Sequence, residues 1–196
     1  MALSLAKKKE TISESKFRTM LSELEAIPSR VQRVLDQNSN IEYISEQYKN
    51  ASNALYLGRG SSFPVALEGA LKLKEISYIH AEGYASGELK HGPIALVDEN
   101  MPVVVLTPRD ELFEKTVSNM HEVMARGGKV LLITDAEGAD EAQDGTWKTI
   151  IMPKIPNDLA PILYSIPVQL LAYHTAVYKG TDVDQPRNLA KSVTVE

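Results

Sequence analysis

The sequence predicts an α/β protein: a three-layer sandwich around a mostly parallel five-stranded sheet, with helices before it and an irregular tail after it. Three observations carry this. Short apolar runs of strand length recur from Asn53 onward. Stretches with helical apolar spacing separate them, the βαβ rhythm that parallel strands require. The first run ends in a glycine-containing turn, Gly58-Arg59-Gly60-Ser61-Ser62, that leads straight into a helix.

The elements are taken in chain order. Residues 13–27 and 28–37 place apolar side chains at helical spacing with Pro28 punctuating between them, and 41–50 form a further short helix. The lysine cluster Lys7-Lys8-Lys9 belongs to a solvated helix face or a loose start. Residues 1–50 therefore form a helical leader that packs on this domain or on a neighbour. A strand at 54–57 is followed by a helix that starts near Pro64, a favoured first-turn position for proline, and runs to His80. Further strands fall at 79–82, 102–106, 129–134 and 148–152. Helices fill 110–126, closed by Gly127-Gly128, and 158–179. Five such strands over residues 51–180 imply the flavodoxin-like order. Beyond Gly180 the period stops, and 181–196 read as a tail.

The bulk numbers set limits on function. A hydrophobic fraction of 43% in 196 residues supports one compact domain with extra segments. A net charge of −5 argues against general attraction to nucleic acid, though not against a local basic pocket for phosphate. There is no cysteine, which removes disulfides, thiolate nucleophiles and thiolate metal sites, and fits a reducing cytoplasm. No apolar run approaches the roughly 18 residues of a membrane span, and the first residues lack the features of a signal peptide. None of the four histidines has paired ligand spacing, so no metal is expected, and no cofactor either.

Chemistry-bearing residues concentrate in four places. The Gly58–Ser62 turn can present backbone N–H groups and a helix start to an anion, or simply permit a tight turn. On the following helix Glu68, Lys72 and Glu75 share one face. They are either solvated ion pairs or a carboxylate base held beside an ammonium that orients substrate. In Ser86-Gly87-Glu88-Leu89-Lys90-His91-Gly92-Pro93, a single capped turn presents a histidine able to titrate near neutrality. Its alternative is a structural histidine, the reading given to His80, His121 and His174. In the tail, Val193 and Val195 alternate with polar residues. If they anchor the end, Lys191 becomes a positioned amine capable of forming an imine with a carbonyl; otherwise the tail is a frayed terminus.

Three of these segments resemble one family. Leu71-Lys72-Leu73-Lys74-Glu75-Ile76-Ser77-Tyr78, the Gly87–Pro93 turn and the run from Asp182 to Glu196 look like the C-terminal part of the glutamine–fructose-6-phosphate aminotransferases. The likeness covers about residues 20–196. It implies the second of two flavodoxin-like sugar isomerase (SIS) domains in an enzyme that makes glucosamine-6-phosphate from fructose-6-phosphate. A glutaminase domain and a first SIS domain would be its partners in a longer, homodimeric, cytoplasmic protein without nucleic-acid or membrane association. Carried over residue by residue, Lys191 matches the imine-forming lysine and Glu75 the base that moves a proton between C1 and C2. Lys72 matches the lysine that lines the substrate site and supports that base, and His91 the ring-opening histidine that reaches a neighbouring subunit's site. Ala190 matches a backbone contact to the sugar. The phosphate-binding loop of the first SIS domain and the glutaminase nucleophile have no counterpart here, so the resemblance implies the chemical half of a site. The competing expectations are a non-catalytic phosphosugar-binding SIS module and a structural oligomerisation domain.

Overall fold

The computed structural model describes residues 1–188. Five strands, β1 (Asn53–Gly58), β2 (His80–Ala85), β3 (Pro102–Leu106), β4 (Lys129–Asp135) and β5 (Lys148–Met152), form one sheet in the order β2-β1-β3-β4-β5. Every neighbouring pair is parallel. This is the flavodoxin-like order, with its reversal of direction between β1 and β3. Eight α-helices accompany it among the described residues: α1 (Ala2–Lys8), α2 (Glu14–Glu25), α3 (Ile27–Leu35), α4 (Asn38–Glu46), α5 (Ser62–Ser77), α6 (Phe113–Met124), α7 (Ala136–Ala142) and α8 (Ala160–Lys179).

Strand alternation explains why the central runs are apolar throughout. Successive side chains point to opposite faces, and both faces are covered. Tyr56, Val104, Leu106, Leu131 and Ile133 join one core with residues of α3, α4, α5 and α8. Leu55, Leu57, Val103, Val105, Val130 and Leu132 join the other, with Phe113, Met120 and Val123 of α6. An alternating polar pattern would have left one face wet.

The leader divides in two. Val34, Ile41 and Ile44 are fully buried, and α3 and α4 pack on α8, so this part belongs to the domain's own core. By contrast α1 and α2 bury no residue. The start of α2 is set by Ser13, whose Oγ accepts the Lys16 N–H at 3.2 Å, a side-chain cap on an otherwise unpaired donor.

Boundaries differ from expectation where local chemistry overrides pattern. α5 begins at Ser62, before Pro64, because Ser62 N–H already bonds to Arg59 O at 2.9 Å. β2 extends to Ala85, since its six residues pair with all of β1. The helix α7 has no counterpart in the pattern; seven residues rich in alanine and acid leave too short a period to read. Asp135 starts it, its carboxylate accepting the Gly138 N–H at 3.0 Å. At the far end of the chain, α8 stops at Gly180, which has φ of 68°. That left-handed conformation is accessible to glycine without a Cβ clash, and it turns the chain off the helix.

Candidate active site

A helix after a parallel strand runs back along it, so α5 carries its last turns to the edge where the strands begin. There Lys72 Nζ donates to Glu75 Oε2 at 2.6 Å. The two side chains are about one-third exposed, 34% and 29%, so the pair is neither buried nor fully solvated. The hydrogen bond to Glu75 pushes the Lys72 ammonium above its ordinary range; partial burial opposes this, and the charges of Glu75 and Glu68 add to it. Lys72 is therefore a permanent cation at neutral pH. A carboxylate held this way can accept a proton from a carbon next to a carbonyl while the ammonium balances charge.

The start of the tail reaches the same end. After Gly180, Thr181 Oγ1 donates to Ile76 O at 2.6 Å and lies 3.1 Å from Ala176 O, occupying a carbonyl that the end of α5 leaves unpaired. Asp182 Oδ1 accepts the N–H groups of Asp184 and Gln185, both at 2.9 Å. Arg187 N–H then donates to Tyr78 Oη at 3.0 Å, and its guanidinium sits 4.1 Å from the Tyr78 ring centroid. Tyr78 has φ of 62°. Ala190 and Lys191 lie outside the described residues.

His91 is elsewhere. It ends a 3-10 helix, Ser86–His91, that comes after β2. Its side chain is 74% exposed, with Nε2 4.0 Å from Glu88 Oε2. Buried Leu89 anchors this turn from within, and Lys90 pairs with Glu122 of α6 at 2.9 Å. Glu75 sits near the strands' amino ends and His91 past the carboxyl end of β2, so the length of a six-residue strand, about 20 Å, separates them. The fold brings Lys72, Glu75 and the tail's first residues together, and it keeps His91 apart from them.

The Gly58–Ser62 turn lies at the carboxyl edge, beside the β1–β3 switch point. Its cation, Arg59, is already engaged, donating from Nη2 to Asn119 Oδ1 of α6 at 2.9 Å. Neither Arg59 nor Tyr78 nor Arg187 stands out in the sequence, although all three lie inside its chemistry-bearing segments. The one available signal is the lack of a glycine where α5 ends. A groove of about 540 Å³ opens at the strands' amino edge between Asn53, Asp98, Lys129 and Trp147; neither Glu75 nor Lys72 lines it. Among the described residues no cluster of three or more metal-ligating side chains occurs, and no helix is long and apolar enough to cross a membrane.

Comparison with known proteins agrees with this architecture. A profile of the SIS domain matches residues 47–179. The chain is 56% identical over its whole length to a glutamine–fructose-6-phosphate aminotransferase (isomerizing) of Brucella melitensis, of which it covers 32%. It is 59% identical to that of Bartonella quintana, again over the whole chain and 32% of the relative. The chain thus spans about a third of the length of the curated relatives it matches. Among solved structures, the C-terminal domain of glucosamine-fructose-6-phosphate aminotransferase from Francisella tularensis superposes with a TM-score of 0.88 at 47% identity, over 93% of this chain and 51% of that one. With the strand order, the two cores and the profile in agreement, the chain belongs to the SIS domain family.

Proposed function

We propose that this chain supplies the proton-transfer half of the ketose–aldose isomerase centre in a glucosamine-6-phosphate synthase, as its second SIS domain. The observation that carries the reading is the Lys72–Glu75 pair at the end of α5, with the tail returning to the same turn of chain at Ile76 and Tyr78. In this reading Lys191, four positions beyond Arg187 in the sequence, condenses with the C2 ketone of open-chain fructose-6-phosphate, releasing water and forming an imine. Ammonia then displaces the Lys191 amine at C2 as the sugar imine, Glu75 removes a proton from C1, and the proton returns at C2 to leave the 2-amino aldose with Lys191 free again. Lys72 holds the carboxylate in place, and Ala190 offers its backbone to the sugar. His91 opens the ring by proton transfer at the ring oxygen.

The separation of His91 from Glu75 within one chain supports a site shared between copies, hence a homodimer. The phosphate clamp and the ammonia source belong to the first SIS domain and the glutaminase domain of the longer enzyme, which works in the cytoplasm. The similarity to whole aminotransferases over a third of their length supports that arrangement.

The test is Glu75→Gln in the full-length enzyme of which this chain forms the C-terminal third. Sugar conversion should fall by about 10²–10⁴-fold, the usual contribution of a general base, while glutamine hydrolysis continues. Undiminished conversion would remove Glu75 as the base. The isolated chain should bind fructose-6-phosphate only weakly by calorimetry, because half of the pocket lies elsewhere; tight binding without isomerisation would favour a phosphosugar-binding module.

A further inference from the structure

We propose that Tyr78 is a positioning residue for this centre, a latch that fixes where the tail departs towards Lys191; the proposal rests on the reading of Lys191 and Glu75 given above. Tyr78 comes directly after the last residue of α5 and stands three positions after Glu75. Its φ of 62° places it in the left-handed region, which is costly for a residue with a Cβ and is tolerated where surrounding structure demands it. Glycine would end the helix there without strain. A tyrosine at this position therefore calls for a use of its side chain.

That use is visible. The phenol oxygen accepts the Arg187 N–H at 3.0 Å, and the ring face receives the Arg187 guanidinium at 4.1 Å, a cation–π distance. Among the described residues Tyr78 is the one hydrogen-bond partner that residues 182–188 find outside their own segment. The segment is thus pinned twice, by Thr181 at Ile76 and by Arg187 at Tyr78. Both pins lie within one helical turn of Glu75, so the tail is referenced to the same rigid element as the base. A tail start tied to the element that carries the base keeps a fixed relation to that base when the rest of the domain breathes.

The test uses Tyr78→Gly and Tyr78→Phe in the full-length enzyme. Three quantities are read: kcat and KM for sugar conversion, the rate of borohydride-trapped fructose-6-phosphate adduct located at Lys191 by mass spectrometry, and Tm. Glycine relieves the backbone strain and removes both latch contacts. Tyr78→Gly should therefore keep or raise Tm while kcat and the trapping rate fall together by about tenfold or more, as misplaced reacting groups do, with glutamine hydrolysis unchanged. Tyr78→Phe, which keeps the ring and loses the acceptor, should fall between it and the wild type. Wild-type kcat and trapping in Tyr78→Gly would overturn the latch while leaving Lys191 and Glu75 in their roles. A loss of kcat that merely tracks a lowered Tm in both variants would reduce Tyr78 to a structural cap and overturn it too. If the wild-type enzyme traps no adduct at Lys191, the reading of the centre itself fails, and the latch with it.

Discussion

The guanidinium of Arg59 packs against the backbone of Gly87, so closely that a Cβ on residue 87 would stand 2.7 Å from Nη2. The contact joins the loop after β1 to the turn that carries His91. The same Nη2 donates to Asn119 Oδ1 at 2.9 Å, which makes the three residues one clamp. Gly87→Ala should push Arg59 off Asn119 and cost about 1 kcal/mol, the net worth of one such hydrogen bond. For a domain of this size that lowers Tm by about 2–4 °C. Asn119→Ala made in the same background should add little, because both changes remove the same bond; full additivity by thermal unfolding would show that no clamp exists.

The Lys72–Glu75 pair should matter to catalysis far more than to stability. A partly exposed pair at this spacing contributes about 0.3–0.5 kcal/mol. The Lys72 pKa is raised above 10.5 in the folded state. Its stabilisation is thus fully present below pH 10.5 and is lost only as pH rises through the raised folded value. Lys72→Met should leave unfolding by urea nearly unchanged between about pH 6 and 9, yet reduce sugar conversion in the full-length enzyme by about a hundredfold. Equal losses in both measurements would mark the lysine as structural.

Gly69 offers a contest between helix propensity and packing. Alanine at an exposed helix position gains about 1 kcal/mol over glycine. At Gly69, however, a Cβ would meet the Tyr56 ring at 2.7 Å and Val168 of α8 at 3.0 Å. Forcing atoms into a packed core costs about 1–3 kcal/mol. The Tyr56 ring is fully buried and has no room to yield. Gly69→Ala should therefore destabilise despite its better propensity, measurable as a lower urea midpoint; a higher midpoint would show that the α5–α8 contact is looser than the Tyr56 and Val168 distances imply.

If His91 serves the site of a second copy, activity should be recoverable by mixing dead subunits. Glu75→Gln and His91→Asn chains combined one to one give mixed dimers in which one of two sites has both groups. Random assembly predicts recovery to about a quarter of the wild-type rate. Recovery to zero would place both groups in one chain's site or none.

Much of the scaffold was legible in the sequence because β1, β3 and β4 are largely buried and so read as apolar runs, and the apolar Ile150-Ile151-Met152 of β5 reads as strand although only part of it is buried. β2 was harder: as an edge strand reading His-Ala-Glu-Gly-Tyr-Ala, it hides its extent behind polar and small residues. α7 was illegible, since two helical turns are too few to display a period. The spacing of Lys72 and Glu75 announced an ion pair but could not distinguish a niche from open solvent. The distance between Glu75 and His91 became readable only once the topology placed the two at opposite edges of the sheet. Apart from the lack of a glycine where α5 ends, nothing in the sequence marked Tyr78 as left-handed, because its side chain is held by Arg187, more than a hundred residues later in the chain.

That dependence gives α8 a role beyond covering the sheet. Gly180 releases the tail from a 20-residue helix, and each residue of a helix rotates its end by about 100° and advances it by about 1.5 Å. The length of α8 is therefore a setting that aims the tail. A one-residue insertion near its exposed Val177 would leave both cores filled yet send Thr181 away from Ile76. On the proposed reading, a chain altered in this way would fold while the full-length enzyme loses sugar conversion. Insertions that most α/β proteins absorb at the end of a surface helix should here be as damaging as removing Glu75.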